Sequence, residues 1–318
     1  MRAIQFSEYG PVSVLQVAEV EAPHAGPGEI RITVRASGVT PGDTYVRSGM
    51  LRDRVPLKLP HVTGVDAAGV VDEIGDGVTG AGLGDEVFGV TAMARLGGSN
   101  AEYAVLVAWA PKPPTWSWQE AGGAAGSVET ATRVLDRLNA GTGHTLLIQG
   151  AAGAVGTVAV QLAVARGLTV IGTASERNHD FLRSLGATPT TYGPGLAERI
   201  RELAPAGVQA VFDCAGGALP DLTAIAGDAA RVVTIADFAA AAHGVHLSHG
   251  APVSDASELG GADPLAFHGF ETAVSLAAQG RLRVPVAAAF PLSEAVAAHE
   301  LSESRHARGK IVLDLSPR

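Results

Sequence analysis

The sequence predicts an α/β protein in which a partly open β-barrel domain precedes a doubly wound parallel sheet. In the first third, β-branched runs such as residues 30–34 and 70–74 are separated by glycine and proline turn signals, for instance at residues 25–28. From residue 118 onward, apolar strand patterns alternate with helical patterns. Such alternation is typical of a parallel sheet with helices on both faces.

The composition is that of a globular protein with about two domains for its 318 residues. A formal net charge of −9 argues against nucleic acid or an anionic membrane as the main partner. Cys214 is the only cysteine, which excludes an intrachain disulfide and a multi-thiolate metal site. The first ten residues lack the apolar core of a signal peptide, so we expect a cytoplasmic protein.

A proline-rich segment at residues 110–114 marks the predicted domain border, because proline continues neither helix nor strand. The first domain is expected at residues 1–115 and the second at residues 116–284. The apolar tail at 311–315 is predicted to be a strand that returns to the first domain, so residues 285–318 would complete it.

The second domain is predicted to open with a helix over residues 118–139, capped by Ser117. Strands are then predicted at 145–149, 168–173, 189–192, 208–213 and 231–235, with an edge strand at 244–249. Helices are predicted at 155–166, 178–185, 195–203, 220–226 and 264–280.

The most informative pattern is TLLIQGAAGAVGTVAVQLAVA at residues 145–165, which is a strand, a glycine turn and a helix in unbroken order. Gly150, Gly153 and Gly156 follow the spacing A-A-G-x-V-G, a variation on G-x-G-x-x-G. A turn without side chains lets the backbone approach phosphates, and the helix N-terminus offers free N–H groups and its positive dipole end. Inside a strand–turn–helix–strand unit, this pattern predicts a dinucleotide site.

The residues after the second strand bear on which nucleotide is bound. Strand LTVIGT is followed by Ala174, Ser175, Glu176 and Arg177. A 2′-phosphate needs hydroxyl donors and a cation, so Ser175 and Arg177 favour NADP, with NADPH as its reduced form. If the strand ran two residues longer, Glu176 could bind the ribose hydroxyls and favour NAD.

Six segments together resemble the zinc-free quinone oxidoreductase branch of the medium-chain dehydrogenase/reductase superfamily over nearly the whole chain. They are GVTPGDTYVRSG (38–49), PHVTGVDAAGVVDEIG (60–75), GDEVFG (84–89), GAAGAVGTVAVQLA (150–163), VFDCAGG (211–217) and ESRHARGKIVL (303–313). The resemblance implies a GroES-like barrel, a Rossmann domain and a cleft between them in which the nicotinamide meets a small-molecule substrate. It also implies a homodimer formed through edge strands of the Rossmann domains.

By matched position, the resemblance also implies a set of cofactor contacts. Thr130 would contact the nicotinamide end, and Arg305 with Lys310 would close the site. The pyrophosphate would be held at the glycine turn by Gly150, Ala152, Gly153, Ala154, Val155 and Gly156. Ser175, Arg177 and Tyr192 would surround the 2′-phosphate, and Cys214, Ala215, Ile235, Ala236 and Phe238 would line the cofactor.

The chain departs from zinc-dependent relatives at the positions of the metal ligands. Thr40 and Val65 occupy two of these positions, and neither residue type fits a catalytic zinc site. No cysteine lies between Gly89 and Tyr103, where relatives carry a structural zinc. We therefore expect no metal. Thr40 also stands where quinone oxidoreductases usually carry asparagine. This position therefore has a hydroxyl group in place of the amide.

Without zinc to polarise an alcohol or carbonyl oxygen, hydride donation to an electron-poor acceptor is favoured, such as a quinone or a conjugated enone. Tyr45 is the candidate hydrogen-bond or proton donor and Thr40 the second candidate catalytic residue, although Tyr45 also suits a structural role in a loop on the barrel. Asp43 is expected in a turn or cap. Asp66 is expected to brace its loop.

Three functions remain open at this point. The first is an NADPH-dependent reductase of quinones or small enones. The second is a pathway-specific enoyl or alkenal reductase, and the third is an NADPH-binding sensor or structural protein without turnover. Loops at residues 50–59 and 251–267 are expected to shape the substrate pocket.

Overall fold

The computed structural model describes residues 1–53, 57–92, 95–250 and 261–316. In chain order the strands are β1 (Arg2–Phe6), β2 (Gln16–Glu19), β3 (Ile30–Val39), β4 (His61–Val62), β5 (Asp66–Ile74), β6 (Glu86–Val90), β7 (Tyr103–Leu106), β8 (Ala108–Pro111), β9 (Thr145–Gln149), β10 (Thr169–Thr173), β11 (Thr188–Thr190), β12 (Ala210–Asp213), β13 (Val232–Thr234), β14 (His246–Leu247), β15 (Val286–Pro291) and β16 (Lys310–Asp314). The α-helices are α1 (Pro41–Arg47), α2 (Trp118–Gly122), α3 (Ala125–Leu138), α4 (Ala154–Ala165), α5 (His179–Ser184), α6 (Leu196–Leu203), α7 (Leu219–Ala226), α8 (Gly269–Ala278) and α9 (Ala295–Glu303).

These elements form two compact units. Among the described residues, the first unit comprises 1–127 and 267–316, and the second comprises 128–250 and 261–266. The predicted border after residue 115 and the predicted end of the second domain at 284 differ from these bounds and stay predictions. Within the first unit, the ring of Phe88 on β6 lies 5.4 Å from that of Trp116, just before α2, and 5.5 Å from that of Phe270 on α8. These contacts join the start of α2 and α8 to the barrel.

The first unit is the β-barrel that the turn-punctuated pattern predicts. β3 pairs antiparallel with β5, and these two strands contain the predicted runs. Every second residue of β3 faces the core, namely Ile30, Ile32 and Val34. This core also contains Val71 of β5. The C-terminal strand β16 pairs antiparallel with β3, so the tail does return to this unit as predicted.

The second unit is a six-stranded parallel sheet in the order β11-β10-β9-β12-β13-β14. This arrangement confirms the doubly wound prediction. From β9 the chain continues to β10 on one side, and β12 lies on the other side, so the strand order reverses at β9. In open α/β sheets, ligands bind at the carboxyl ends of the strands beside such a reversal. The predicted edge strand is present as β14.

One predicted helix is broken in two. The interval 118–139 holds α2 and α3, with Gly123 as the C-cap of α2. Glycine has a low helix propensity. In addition, a Cβ on Gly122 would lie 2.6 Å from backbone atoms of Ala36, so α2 approaches β3 too closely for a side chain. The prediction of one continuous helix was wrong because this tertiary contact selects glycine there.

The helices α1 and α9 and the strand β15 are among the elements that were not predicted. The helix predicted at 264–280 is shorter and runs as α8. Across the described residues, no helix combines the length and the apolar character needed to cross a membrane.

The predicted N-cap at Ser117 is confirmed and gives a first test. Ser117 Oγ accepts from the Glu120 N–H at 3.1 Å, and the Glu120 carboxylate accepts from the Ser117 N–H at 2.9 Å. Ser117→Ala should lower the free energy of unfolding by about 1 kcal/mol. Urea titration would measure this, with Ser7→Ala in an exposed loop as the control. Equal effects of the two substitutions would show that the cap contributes nothing.

Candidate dinucleotide and substrate site

The glycine turn joins β9 to α4 with an open helix N-terminus. Gly150 has φ +74°, and its N–H donates to Thr173 Oγ1 at 3.1 Å. Ala151 N–H donates to Thr173 O at 3.0 Å, which fixes the turn to the end of β10. Gly153 is the N-cap of α4, and no side chain caps this end. The N–H groups of the first helical turn therefore face outward without an intrahelical acceptor.

The glycines of this turn have different roles. A Cβ on Gly156 would lie 2.4 Å from Gly150 O and 2.8 Å from Ala151 Cα, so α4 packs on the turn only with glycine there. A Cβ on Gly153 would meet a single atom, Gly150 O at 3.3 Å, because the space around it is otherwise open. Open space beside uncapped N–H groups fits a diphosphate. The predicted residues of the turn, including Ala152, Ala154 and Val155, are thus brought together.

The predicted 2′-phosphate residues follow two adjacent parallel strands. β10 ends at Thr173, and residues 176–178 form a separate 3-10 turn with Ser175 at the N-cap position. Arg177 is exposed, and Tyr192, which follows β11, is also exposed. Glu176 would lie at the end of the strand only if β10 ran two residues beyond Thr173. The strand ends at Thr173, the predicted last residue, so Glu176 does not lie at its end.

The sequence analysis missed Arg199 on α6, which binds the loop after β11. Its guanidinium donates to Thr190 Oγ1 at 3.2 Å, to Thr191 O at 2.9 Å and to Pro194 O at 2.9 Å. These three bonds hold the loop that carries Tyr192. The signal in the sequence is weak, since an arginine on an amphipathic helix usually faces solvent.

The loops after β12 and β13 are joined by Asp213, a second residue that the sequence analysis missed. Its fully buried carboxylate accepts from Ala215 N at 3.0 Å, from Gly216 N at 2.9 Å and from Thr234 Oγ1 at 2.7 Å. Thr234 Oγ1 in turn accepts from Ala236 N at 3.1 Å. The buried network therefore orders both loops that were predicted to line the cofactor. An aspartate at a strand end before C-A-G-G is the available signal.

Cys214 lies between these ordered groups. Burial raises the pKa of its thiol well above the usual value, and the neighbouring Asp213 charge raises it further. A protonated thiol is a weak nucleophile, so the environment of Cys214 does not favour nucleophilic catalysis. The predicted cofactor contacts of Cys214, Ile235 and Phe238 remain predictions.

Thr130 on α3 belongs to a buried polar network in the second unit. Its hydroxyl donates to Glu129 Oε2 at 3.2 Å, and Arg133 Nε donates to Glu129 Oε1 at 2.8 Å. Arg133 also bonds Ser248 Oγ at 2.5 Å, and Ser248 Oγ donates to Asp263 Oδ2 at 2.6 Å. The network fixes the orientation of the Thr130 hydroxyl, whose contact with the nicotinamide remains a prediction.

In the first unit, Thr40 is the N-cap of α1. Its N–H and hydroxyl donate to Asp43 Oδ2 at 2.7 and 2.9 Å, while Asp43 Oδ1 accepts from Gly64 N at 2.9 Å. Asp43 is therefore the capping residue that was expected. Thr followed by Pro41 and by an acid at the third helical position is a helix-start signal that could have revealed α1.

Tyr45 lies on α1 rather than in a loop, and it lines a cavity of about 580 Å³. Arg305 lines the same cavity and donates to Tyr45 Oη at 3.3 Å. Met50, from one of the predicted pocket loops, lines it as well. The rest of that prediction falls partly on residues 54–56 and 251–260, which lie outside the described residues.

Lys310 was predicted to close the site together with Arg305, and the structure gives it an acidic partner in the first unit. Its ammonium is buried and 3.3 Å from Asp66 Oδ2, and the Asp66 side chain is 0 % exposed. Asp66 also accepts from Gly126 N at 3.3 Å, so it braces this region as expected. The structure therefore places Lys310 as an internal counter-ion, and its contact with a cofactor stays a prediction. Nowhere in the described ranges do three or more His, Cys, Asp or Glu side chains gather as metal ligands.

Two family models match the chain. The alcohol dehydrogenase GroES-like domain matches residues 26–135, and the domain described as zinc-binding dehydrogenase matches residues 185–313.

Three curated proteins are similar over part of their length. Quinone oxidoreductase of Rattus norvegicus is 36% identical over 192 residues, which cover 59% of this chain and 57% of that protein. The synaptic vesicle membrane protein VAT-1 homolog of Homo sapiens is 36% identical over 217 residues, 67% of this chain and 54% of that protein. Both matches thus span little more than half of the relative. The spectinabilin polyketide synthase system protein NorB of Streptomyces orinoci is 38% identical over 169 residues, 53% of this chain and 7% of that protein.

Two solved structures match over nearly the full length. The quinone oxidoreductase of Coxiella burnetii has a TM-score of 0.80 at 29% identity and covers 99% of both chains. A mycobacterial protein complexed with NADPH has a TM-score of 0.78 at 28% identity, covering 99% of this chain and 100% of that chain. From the two domain models and these relatives together, the chain belongs to the zinc-free quinone oxidoreductase branch of the medium-chain dehydrogenase/reductase superfamily.

Proposed function

We propose that the protein is an NADPH-dependent oxidoreductase that transfers a hydride to a quinone or a small conjugated enone without zinc. The observation that carries this proposal is the uncapped N-terminus of α4 behind the glycine turn, since Gly156 packs the helix on the turn and Gly153 leaves the phosphate space open. The likeness to a protein solved with NADPH supports the choice of cofactor.

The protein groups would divide the work as follows. The turn at Gly150–Gly156 would bind the diphosphate, and Ser175 with Arg177 would bind the 2′-phosphate. When bound, the dihydronicotinamide supplies the hydride. Tyr45 would donate a hydrogen bond to the substrate oxygen, and its position in a cavity of about 580 Å³ leaves room for a small molecule. Thr40 and Val65 offer no zinc ligand, so hydrogen bonding would replace Lewis-acid polarisation.

A second candidate is a pathway-specific reductase of an enoyl or alkenal substrate. The likeness to a segment of a polyketide synthase protein favours it. It would use the same hydride chemistry with a narrower substrate range. The third candidate, an NADPH-binding protein without turnover, shares the nucleotide site and differs only in activity.

One assay separates these candidates. Steady-state NADPH oxidation would be followed at saturating cofactor with a panel of quinones and of 2-enones. Turnover of several quinones supports the main proposal, and turnover of one enone class alone supports the second. Tight NADPH binding without any turnover would overturn both. We also propose a homodimer through the β14 edge, which light scattering of the purified protein would test.

Arg177→Gln should raise the Kd of NADPH about tenfold or more and leave that of NADH within about twofold. The reason is that a charge-assisted contact with the 2′-phosphate is lost, while NADH has no such group. Fluorescence titration with both nucleotides measures the ratio. Arg183→Gln, a matched exposed arginine on α5, is the control. Tighter binding of NADH than of NADPH by the unmodified protein would contradict the NADP assignment.

A further inference from the structure

The cavity beside Tyr45 carries more positive than negative charge. Three charged side chains line it, namely Arg47, Glu303 and Arg305. Arg47 is 1% exposed, pairs with Glu303 and also donates from Nη1 to Gly10 O at 2.5 Å. Two cations against one carboxylate leave one positive charge in excess, in a chain whose formal net charge is −9.

The excess charge belongs to Arg305. Its Nη2 donates to the neutral Tyr45 hydroxyl at 3.3 Å, and within the described part of the chain no carboxylate forms an ion pair with it. Glu303, two residues away, is already engaged by Arg47. Arg305 is exposed to the cavity, so its remaining donors are available to an anion.

The wall of the cavity also has polar atoms that lack a partner. Thr44 Oγ1 and Arg47 Nε are buried without a hydrogen bond within the described ranges. Buried polar atoms are normally satisfied by protein or by an ordered molecule. Met50, Pro11 and Pro41 add apolar surface to the same cavity. The lining therefore suits a ligand that is partly apolar and partly anionic.

The backbone conformation at Arg305 is unusual for a residue with a side chain. Arg305 has φ +56° just after the end of α9, where glycine is usual. A non-glycine residue in the left-handed region is energetically disfavoured. An arginine at such a position agrees with a side chain that binds something.

We propose that this cavity binds substrates in which a carboxylate accompanies the conjugated carbonyl, with Arg305 as the carboxylate-binding residue. The proposal rests on the proposed function and names the substrate class. Arg305 donates to Tyr45 Oη at 3.3 Å in the same cavity, so one small substrate could contact Tyr45 with its carbonyl oxygen and Arg305 with its carboxylate. The two electrons come from NADPH as a hydride and the proton from solvent, which gives the saturated keto acid and NADP⁺.

The test uses trans-3-benzoylacrylate, which carries a negative charge, and its neutral methyl ester. The measured quantity is the ratio of kcat/KM for the acid to that for the ester, compared between variants so that intrinsic reactivity cancels. Arg305→Gln should lower this ratio about tenfold, because one charge-assisted interaction is lost. Arg305→Lys should retain most of it. Arg308→Gln, an exposed arginine that does not line the cavity, should leave it within about twofold of the unmodified protein.

Equal losses for acid and ester in Arg305→Gln would overturn the inference, because Arg305 would then act on the cofactor or on Tyr45, and the proposed function would stand. If the unmodified protein reduces no acceptor at all, the proposed function fails instead. In that case calorimetric titration with 3-benzoylpropionate, the saturated acid, tests whether the cavity binds a carboxylate, independently of any turnover. Binding that Arg305→Gln abolishes supports the carboxylate site, and equal or absent binding in the two proteins overturns it.

Discussion

Gly156→Ala should raise the Kd of NADPH about a hundredfold and destabilise the protein, whereas Gly153→Ala should raise it about tenfold with little loss of stability. A methyl group on Gly156 would lie 2.4 Å from Gly150 O, so α4 must move away from the turn. Overpacking of this kind costs about 1–3 kcal/mol. The shift also displaces the N–H groups that face the diphosphate, and losing such contacts raises Kd about a hundredfold.

Gly153 offers the complementary test in the same turn. Its φ of −75° suits any residue, and only one atom lies within reach of a new Cβ. We therefore expect the free energy of unfolding to change by less than about 1 kcal/mol. The methyl group would occupy phosphate space and raise the Kd of NADPH about tenfold, the cost of one lost contact.

Urea unfolding and fluorescence titration with NADPH would be measured for both variants. Gly141→Ala, in open space in the turn before β9, is the matched control and should change neither quantity. Unchanged NADPH affinity in Gly156→Ala and Gly153→Ala together would show that the cofactor does not bind at this turn.

Lys310→Met should lower the free energy of unfolding by about 3–5 kcal/mol, because removing one partner leaves a buried charge without compensation. The partner is Asp66, with a 0 % exposed side chain whose Oδ1 already lacks a hydrogen-bond partner within the described ranges. The double variant Asp66→Asn, Lys310→Met should recover most of the loss, since neither charge remains. Arg201→Met, which breaks an exposed ion pair with Glu198, should cost less than about 1 kcal/mol.

This experiment also decides between two roles for Lys310. The resemblance implies a cofactor contact, whereas the structure pairs Lys310 with Asp66. A variant that unfolds like the unmodified protein but binds NADPH poorly would favour the cofactor role and contradict the internal counter-ion. Urea titrations and NADPH titrations of the single and double variants supply both quantities.

The second unit was predicted well because its signals are local. Strand β9 is found at the predicted residues 145–149, and α4 begins one residue before its predicted start. Alternating apolar strands and helices with glycine turns between them identify each element from its own residues. The break between α2 and α3 was missed because it depends on Ala36, a residue far away in the chain.

The residues of the candidate site show the same difference between local signals and contacts of distant residues. The sequence alone determined the fold class and the glycine turn, because the absence of side chains at Gly150, Gly153 and Gly156 acts within a few residues. Only the tertiary structure decided which distant side chains meet. Tyr45 meets Arg305 across 260 positions, and Asp66 meets Lys310 across 244. The apolar tail predicted its own return to the first unit, but not which side chains it would meet there. No local pattern encodes these two pairings, because burial and charge pairing across such separations are settled only when the strands pack.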